Sequence, residues 1–238
     1  MKRFFFLFIC GFCLSHVVIT GCAEEESGSS TIIEIMAQAT GIAANGEAST
    51  LIDVKIHPDS TKRVVSLYTD YGTFLNEQEG RSTTTQLKVD QKGKAQTRLF
   101  SGTTVNTATV QAMIDQFSAE TTVDFQRNYP DSIVMFPTQT RLTADGESSM
   151  VIGATLISSN GTVSQHTEVR FSATHRDTGE AVGYIIARAF SNEESQVTTQ
   201  LFSTRPQDAP VIVAASVFNG DQLVAEGTVL IEFVKAAN

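Results

Sequence analysis

An internal repeat with a period of about 100 residues runs through most of this 238-residue chain. Residues 40–56 read TGIAANGEASTLIDVKI, and residues 140–156 read TRLTADGESSMVIGATL. Two further segments recur later in each copy, and the chain is therefore predicted to hold two copies of one domain in tandem. The identical residues are Thr40/Thr140, Ala44/Ala144, Gly46/Gly146, Glu47/Glu147, Ser49/Ser149, Ile52/Ile152 and Leu99-Phe100-Ser101 with Leu201-Phe202-Ser203, and Val123-Asp124-Phe125 corresponds to Ile231-Glu232-Phe233.

Each copy has the residue pattern of short β-strands. Ile52, Val54 and Ile56 alternate with polar residues, which is typical of a strand with one buried and one wet face. Residues 109–117 could also form a short helix, but the Val-rich equivalent in the second copy favours a strand. About seven short strands per hundred residues favour an all-β chain built of β-sandwiches. Tight turns are predicted at Asn45-Gly46, Asp145-Gly146, Asn160-Gly161 and Asn219-Gly220.

The composition constrains both the cores and the partners. The chain has no Trp, and its three cysteines are Cys10, Cys13 and Cys22, so each core must depend on aliphatic and Phe side chains. With 17 basic and 26 acidic residues, the formal net charge is −9. This balance argues against a nucleic-acid partner, which would require a basic face.

The N-terminal segment is predicted to direct the chain to a membrane. A short basic stretch precedes an apolar run at residues 4–14, which has the length of a signal-peptide core and is too short to span a bilayer. The segment Ile19-Thr20-Gly21-Cys22 resembles a bacterial lipobox. The resemblance implies that residues 1–21 are a lipoprotein signal peptide, cleaved between Gly21 and Cys22, and that Cys22 carries the lipid. The alternatives are an ordinary secretory signal with an incidental cysteine and an uncleaved anchor.

A polar tether is predicted at residues 22–30. Its three consecutive glutamates offer no preorganised cage for a cation, so we interpret it as a flexible coil with a reach of about 15 Å. Removal of residues 1–21 takes away two basic residues and no acidic one, so the charge goes from −9 to −11 and disfavours electrostatic attachment to anionic lipid. In lipoproteins like those of enterobacteria, Ala rather than Asp at position 23 favours the outer membrane.

Each copy carries a series of recurring strand motifs. The first copy has ANGEAST, YGTF and a final TVDF strand, and the second has ADGESS, VRF, VIVAAS and TVLIEF. With these motifs both copies resemble bacterial immunoglobulin-like domains of the invasin/intimin type. The resemblance implies two immunoglobulin-like β-sandwiches, at residues 31–126 and 132–238, joined by a linker at 127–131. Two family features are absent from the sequence, namely the Gly-x-Pro-Val segment after the second strand and the cysteine-containing lectin-like tip.

No catalytic signature emerges from the sequence. The motifs of serine hydrolases, zinc peptidases and P-loop NTPases are absent, so we predict that the protein is not an enzyme and uses no cofactor or metal. Several weaker candidates are each interpreted as structural. They are the histidines His57, His166 and His175, the repeated Glu47 and Glu147, Asn128 and Asp131 as Ca²⁺ ligands, and Tyr68, Tyr71 and Phe74 as a sugar platform.

These observations predict a non-catalytic, lipid-anchored protein of the cell envelope, with its lipid on Cys22 in the outer membrane. The immunoglobulin-like domains would act as a stalk, scaffold or adhesion-type module that contacts a protein or glycan on the envelope or on a host surface. The alternative is a module that binds glycan or peptidoglycan. An enzyme with an unfamiliar site is a third hypothesis.

Overall fold

The computed structural model describes residues 32–76, 80–203 and 209–235, which belong to one compact unit. The predicted signal peptide at 1–21, with Gly21 and Cys22, and the predicted tether at 22–30 lie outside the described residues. Within them, nineteen β-strands and no α-helix occur, and thus no apolar helix long enough to cross a membrane. The strands are β1 (Ile33–Ala37), β2 (Gly41–Ala43), β3 (Ser49–Ile56), β4 (Val64–Thr69), β5 (Thr73–Asn76), β6 (Gly80–Ser82), β7 (Thr84–Lys88), β8 (Lys94–Phe100), β9 (Asn106–Ile114), β10 (Phe117–Gln126), β11 (Ser132–Pro137), β12 (Arg141–Ala144), β13 (Ser149–Ile157), β14 (Glu168–His175), β15 (Tyr184–Ile185), β16 (Arg188–Phe190), β17 (Gln196–Phe202), β18 (Ala209–Asn219) and β19 (Gln222–Lys235).

The strands form four sheets, two in each half of the chain. In domain 1, sheet A has the order β1-β3-β8-β5-β6 and sheet B the order β2-β10-β9-β4-β7. In domain 2, sheet C has the order β11-β13-β17-β15 and sheet D the order β12-β19-β18-β14-β16. Apart from β6, each strand of domain 1 has a counterpart in domain 2 at the same place in its sheet. The prediction of an all-β chain of two tandem sandwiches is confirmed.

Each domain buries its own apolar interior between its two sheets. The alternation of β3 places Ile52, Val54 and Ile56 in the core of domain 1, each no more than 2% exposed. The repeated positions are equally buried in both domains: Ala44 and Ala144, Ile52 and Ile152, and Leu99 and Leu201 are all 0% exposed. Both interiors and all four sheets lie within residues 31–238, so this part of the chain contains what it needs to fold on its own.

The ambiguous segment at residues 109–117 is extended. It forms the end of β9, a two-residue loop at Asp115 and Gln116, and the start of β10, with Ile114 paired to Phe117. Asp115 has a φ of 52°, as a short hairpin loop requires of one of its residues. The interpretation as a strand is confirmed, because Val110 and Ala112 alternate into the core.

The first strand of each domain is divided between the two sheets. In domain 1, β1 pairs antiparallel with β3, and β2 then pairs in parallel with β10. In domain 2, β11 pairs with β13 and β12 with β19 in the same way. The parallel pairing of β2 brings Ala44 beside Gln126, whose carbonyl accepts a hydrogen bond from the Ala44 N–H at 2.7 Å. The turn after β2 is thereby held at the end of domain 1 from which the chain enters domain 2.

Candidate functional site

The turn after the first strand has the same hydrogen bonds in both domains. Asn45 Oδ1 accepts from the N–H groups of Glu47 and Ala48 at 3.0 and 2.7 Å. Asp145 Oδ1 accepts from the equivalent groups of Glu147 and Ser148 at 2.9 and 2.7 Å. The side chain that holds each turn is therefore the Asn or Asp before the glycine.

The Glu47 carboxylate has a different contact, because it lies 3.1 Å from Arg81 Nη2 on β6. Glu47 and Glu147 belong to separate domains, and Asn45 and Asp145, rather than these glutamates, hold the turns with their side chains. No paired-carboxylate site follows from them.

In domain 1 the same turn also contacts domain 2. The Asn45 carbonyl accepts a hydrogen bond from the Thr162 N–H at 3.2 Å, and Asn45 Nδ2 donates to the Asn160 carbonyl. Ser164 Oγ donates to the Ala44 carbonyl at 2.8 Å. The loop between β13 and β14 therefore docks on this turn, and we call the contact region between residues 44–46, 101–104, 127–131 and 158–167 the joint.

A second pair of hydrogen bonds extends the joint. The Gln165 N–H donates to the Thr103 carbonyl at 2.9 Å, and Gln165 Nε2 donates to Thr103 Oγ1 at 2.7 Å. Thr103 lies in the loop between β8 and β9, so two separate loops of domain 1 contact one loop of domain 2. Two contact points resist both bending and twisting better than one.

The residues between β10 and β11 are fastened to the same loop. Asn128 is 8% exposed, and its Nδ2 donates to the Thr162 carbonyl at 2.9 Å and to Ser158 Oγ at 3.2 Å. Its N–H donates to Ser164 Oγ at 2.8 Å. Arg127 Nη1 donates to Thr167 Oγ1 at 3.1 Å. The connection is therefore an ordered part of the joint.

The joint is polar and buried, and its buried polar side chains have hydrogen-bond partners except at Ser101. Ser164 is 0%, Thr167 1% and Asn45 5% exposed. Each of these side chains has hydrogen-bond partners, and among the described residues Ser101 Oγ is the one buried side-chain polar atom without a partner. Because an unpaired buried polar group costs about 1–3 kcal/mol, opening the joint without rehydrating it would be unfavourable.

The candidate Ca²⁺ ligands in the connection already have protein partners. Asp131 Oδ2 accepts from the Ser159 N–H at 2.6 Å and from Ser159 Oγ at 2.7 Å, and these bonds lower the pKa of Asp131. The Asn128 amide donates within the joint, as described above. In the part of the chain that the structure describes, no group of three or more His, Cys, Asp or Glu side chains could hold a metal ion.

The histidines lie at turns. His57 Nδ1 accepts from the Asp59 N–H at 3.3 Å, and His175 Nδ1 accepts from the Asp177 N–H at 3.1 Å. His166 has a φ of 56°, and its N–H donates to the Ser191 carbonyl at the border of the joint. Each position is explained by local backbone structure.

The aromatic group does not form one surface. Phe74 is 0% exposed and belongs to the core of domain 1, whereas Tyr68 and Tyr71 are each 44% exposed. A three-ring sugar platform is therefore ruled out at this place, because one of its members points inward.

The resolved pKa shifts of the acidic groups all favour the charged form. The Ser148 hydroxyl and N–H hold the pKa of Asp145 well below its usual range, and the hydrogen bond from Arg170 lowers that of Glu168. The hydrogen bond from Arg176 likewise lowers the pKa of Asp177. A general acid at neutral pH would need the opposite shift, so these carboxylates are suited to fixing loops and strands.

No family model matches the chain, and no curated protein matches its sequence. Among solved structures, the Yersinia pseudotuberculosis adhesin InvE is similar with a TM-score of 0.57 and 15% identity, over 86% of this chain and 59% of that one. Invasin, described as a bacterial integrin-binding protein, is similar with a TM-score of 0.53 and 18% identity, over 86% of this chain and 39% of that one. The D0–D1 domains of intimin match with a TM-score of 0.36 and 16% identity, over 85% of this chain and 98% of that one.

The chain spans 59% of the InvE structure and 39% of the invasin structure. At identities below 20%, the likeness concerns the fold. The predicted resemblance to immunoglobulin-like domains of the invasin/intimin type is thus confirmed for the architecture. The described residues have the tandem immunoglobulin-like β-sandwich fold that these bacterial adhesins also have.

Proposed function

We propose that this protein is a non-catalytic, lipid-anchored component of the cell envelope whose two immunoglobulin-like domains act together as a stalk, scaffold or adhesion-type module. The observation that carries the proposal is the joint. A module that presents a surface at a distance from a membrane must keep its domains in a fixed orientation. Hydrogen bonds from two loops of domain 1, and from the connection, to one loop of domain 2 supply that constraint.

The non-catalytic part of the proposal is supported by the roles of the polar residues. His57 and His175 accept hydrogen bonds from turn N–H groups, and the shifted carboxylates are held in their charged form by neighbouring donors. In both domains the interior between the sheets is apolar and close to fully buried. The described polar groups thus serve the fold.

The anchoring part rests on the sequence before the first strand. The lipobox-like segment ends in Cys22, and ten residues separate that cysteine from β1. Three acyl chains on one cysteine would give effectively permanent attachment, since each buried CH₂ contributes about 0.8 kcal/mol. We propose that the lipid holds the protein in the outer membrane, with Ala23 as the residue that permits export from the inner membrane.

The partner that we propose is a protein on the envelope or on a host surface. InvE is described as an adhesin and invasin as an integrin-binding protein, and both have the same fold in this region. Rigid β-sandwiches present flat sheet faces and loop ends, which suit contacts with other folded proteins.

Lipidation can be tested in cells that express the full chain and are fed a radioactive fatty acid. We expect wild-type protein to carry label and to sediment with the outer membrane. Cys22→Ala should lose the label and accumulate as an unprocessed precursor. Cys13→Ala is the matched control, because Cys13 lies in the predicted signal peptide, and it should keep both label and processing.

Retention of label by Cys22→Ala would contradict the anchor. Loss of label by Cys13→Ala as well would mean that the substitution disturbs export and not the acylated residue. Label on wild type and on Cys13→Ala alone supports the anchor at Cys22.

A further inference from the structure

Sheet C differs from the other three sheets in its charge. Its four strands contain no Asp, Glu, Lys, Arg or His among their residues, whereas each of the other sheets contains several charged residues within the described part of the chain. Its outward surface consists of apolar and uncharged polar side chains, with Ser132, Gln196 and Thr198 among the polar ones. The exposed apolar side chains include Val134 (52%), Phe136 (44%), Val151 (42%), Ile157 (44%), Tyr184 (60%) and Ile186 (43%). We call this surface the C face.

The corresponding surface of domain 1, which we call the A face, is charged. The strands of sheet A carry Glu34, Asp53, Lys55, Arg81, Lys94 and Arg98. Lys55 Nζ lies 3.1 Å from Glu34 Oε2, and Asp53 accepts from the side-chain amides of Gln38 and Gln96 at 2.9 and 2.6 Å. The A face therefore satisfies its own polar groups and is suited to contact with water.

The two faces can be compared position by position because the domains are copies. Glu34 and Lys55 are cross-strand partners in sheet A, and Val134 and Thr155 are the cross-strand partners at the same place in sheet C. Asp53 corresponds to Gly153, and Arg98 to Gln200. Every charged position of β1, β3 and β8 is thus uncharged in domain 2.

The aromatic contacts also differ between the two faces, from a contact with a charged side chain on the A face to contacts among uncharged groups on the C face. On the A face the Arg81 guanidinium lies 4.5 Å from the centre of the Phe100 ring. On the C face, Phe202 contacts Tyr184 at a centroid distance of 5.8 Å. At the other edge, the Phe136 ring covers Gly153, where an added Cβ would lie 2.1 Å from Phe136 Cε2. Aromatic rings thus lie near both edges of the C face.

We propose that the C face is the contact surface between two copies of this protein, packed sheet on sheet about a twofold axis. The chain has a net charge of −9, so two copies repel each other wherever acidic groups meet. The C face allows close approach without placing like charges opposite one another and without desolvating any charged side chain. A twofold axis also uses one surface twice, as most homodimers do.

The size of the C face fits a weak dimer. The four strands have 6, 9, 7 and 2 residues, which rise about 3.3 Å each on strands about 4.8 Å apart and give a surface of roughly 380 Å² in projection. Two such surfaces in contact would bury on the order of 800 Å², which is the size of a weak, transient contact. We therefore expect a dissociation constant of about 10–100 µM in solution. This inference does not depend on the lipid anchor.

Sedimentation velocity of residues 31–238 from about 5 to 500 µM tests the proposal. We expect the wild type to shift from monomer to dimer across this range. In Val134→Glu/Thr155→Lys the concentration at which the monomer converts to the dimer should rise at least tenfold. This variant places in domain 2 the ion pair that domain 1 already holds at the same register, so the fold should be kept, as a thermal melt will show.

The matched control is Leu230→Glu, at an apolar residue 43% exposed on the outward surface of sheet D. It should dimerise like the wild type. A wild type that remains monomeric at 500 µM would overturn the proposal. The same holds if Val134→Glu/Thr155→Lys dimerises unchanged, since the contact would then lie elsewhere.

Cysteine cross-linking gives a second readout that does not depend on a disruptive variant. Residues 31–238 contain no cysteine, so a single introduced thiol reports only its own position. Thr198, paired with Gly153 in the middle of the C face, is exposed. Thr198→Cys should form a disulfide-linked dimer under mild oxidation, and Leu230→Cys should not. Equal cross-linking of both variants, or of neither, would count against the C face.

Discussion

The two domains have nearly the same interior and different outward surfaces. Ala44, Ile52 and Leu99 have buried counterparts in domain 2, and the turn after the first strand uses the same hydrogen bonds in both. By contrast, the charged positions of β1, β3 and β8 on the A face are all uncharged at the equivalent places on the C face. Packing constrains the interior of each copy, whereas the surface is constrained only by what it meets. The difference therefore indicates that the two copies meet different surroundings.

The first turn shows the same contrast in a single residue. Asn45 is buried in the joint, and Asp145, its counterpart, is exposed. Both hold their turns through Oδ1, but a carboxylate at position 45 would place a buried negative charge against the Asn160 carbonyl oxygen. Asn gives the same turn without a charge and adds a donor for domain 2.

The largest effect on stability is expected from removing a buried side chain from one interior at a time. Leu99→Ala and Leu201→Ala each remove a fully buried side chain, so each should lower the free energy of unfolding by about 3 kcal/mol. Because each leucine contacts one core only, hydrogen–deuterium exchange should rise mainly in the domain that carries the substitution. Equal acceleration in both domains for either variant would show that the domains unfold as one.

An effect of similar size is expected at the glycine that precedes β5 and its counterpart before β15. Gly72 and Gly183 both have a φ of 74°, and an added Cβ would lie 2.4 and 2.7 Å from a carbonyl oxygen, that of Phe100 or Phe202. Substitution by Ala at either position should cost about 2–4 kcal/mol, measured by chemical denaturation. Gly80→Ala is the control, because Gly80 has a φ of 78° but no atom within 4 Å of the place that an added Cβ would take.

For Gly80→Ala we expect a loss of about 1 kcal/mol from the backbone conformation alone. If all three variants lose the same stability, the close approach to the carbonyl oxygen has no role.

An effect of about 1–3 kcal/mol is expected in the joint. Ser164→Ala removes the hydroxyl that donates to the Ala44 carbonyl and accepts from the Asn128 N–H, and it leaves both partners buried. Hydrogen exchange should accelerate at residues 44–46 and 158–167 while both interiors stay protected. Ser172→Ala, on the exposed side of β14, is the control and should change neither. Unchanged exchange in Ser164→Ala would contradict the assigned role of the joint.

The smallest effect is a difference in acid sensitivity between the two first turns. Folding lowers the pKa of Asp145 from its ordinary 3.8, chiefly through the Ser148 hydroxyl, so the ionised side chain stabilises domain 2 above that pH. The contribution is lost progressively as the pH falls below about 4. Asp145→Asn, which copies the residue of domain 1, should weaken the decline of domain 2 stability between pH 5 and 2.5. The decline is measured by thermal unfolding at each pH. If it is the same in Asp145→Asn as in the wild type, Asp145 does not contribute to the acid sensitivity of domain 2.

The sequence was sufficient to predict the parts of the fold that depend on local patterns. Alternating apolar residues predicted β3, comparison with the second copy predicted a strand at residues 109–117, and the four predicted turn glycines, at positions 46, 146, 161 and 220, all have positive φ. The repeat predicted that these features would occur twice. Such signals depend on residues close together in the chain, where periodicity and turn chemistry act directly.

The joint and the C face could not be predicted in the same way. Asn45 and Asn160 are 115 residues apart in the chain, and each was interpreted only as a turn residue. Asn128 is a residue type that can bind a cation through its side-chain oxygen. Its burial against Ser158 and Thr162 follows only from the way the domains meet. The sequence did contain a signal for the C face. When the repeats are aligned, the charged Glu34, Asp53 and Lys55 correspond to the uncharged Val134, Gly153 and Thr155.

The proposed function depends most directly on a fixed orientation of the two domains. Pulsed electron–electron double resonance between spin labels at Glu120→Cys and Glu226→Cys measures the distance between the two domains, since both sites are exposed and lie in different domains. The buried joint predicts a single narrow distance distribution that broadens in Ser164→Ala. A broad wild-type distribution, unchanged by Ser164→Ala, would contradict the account.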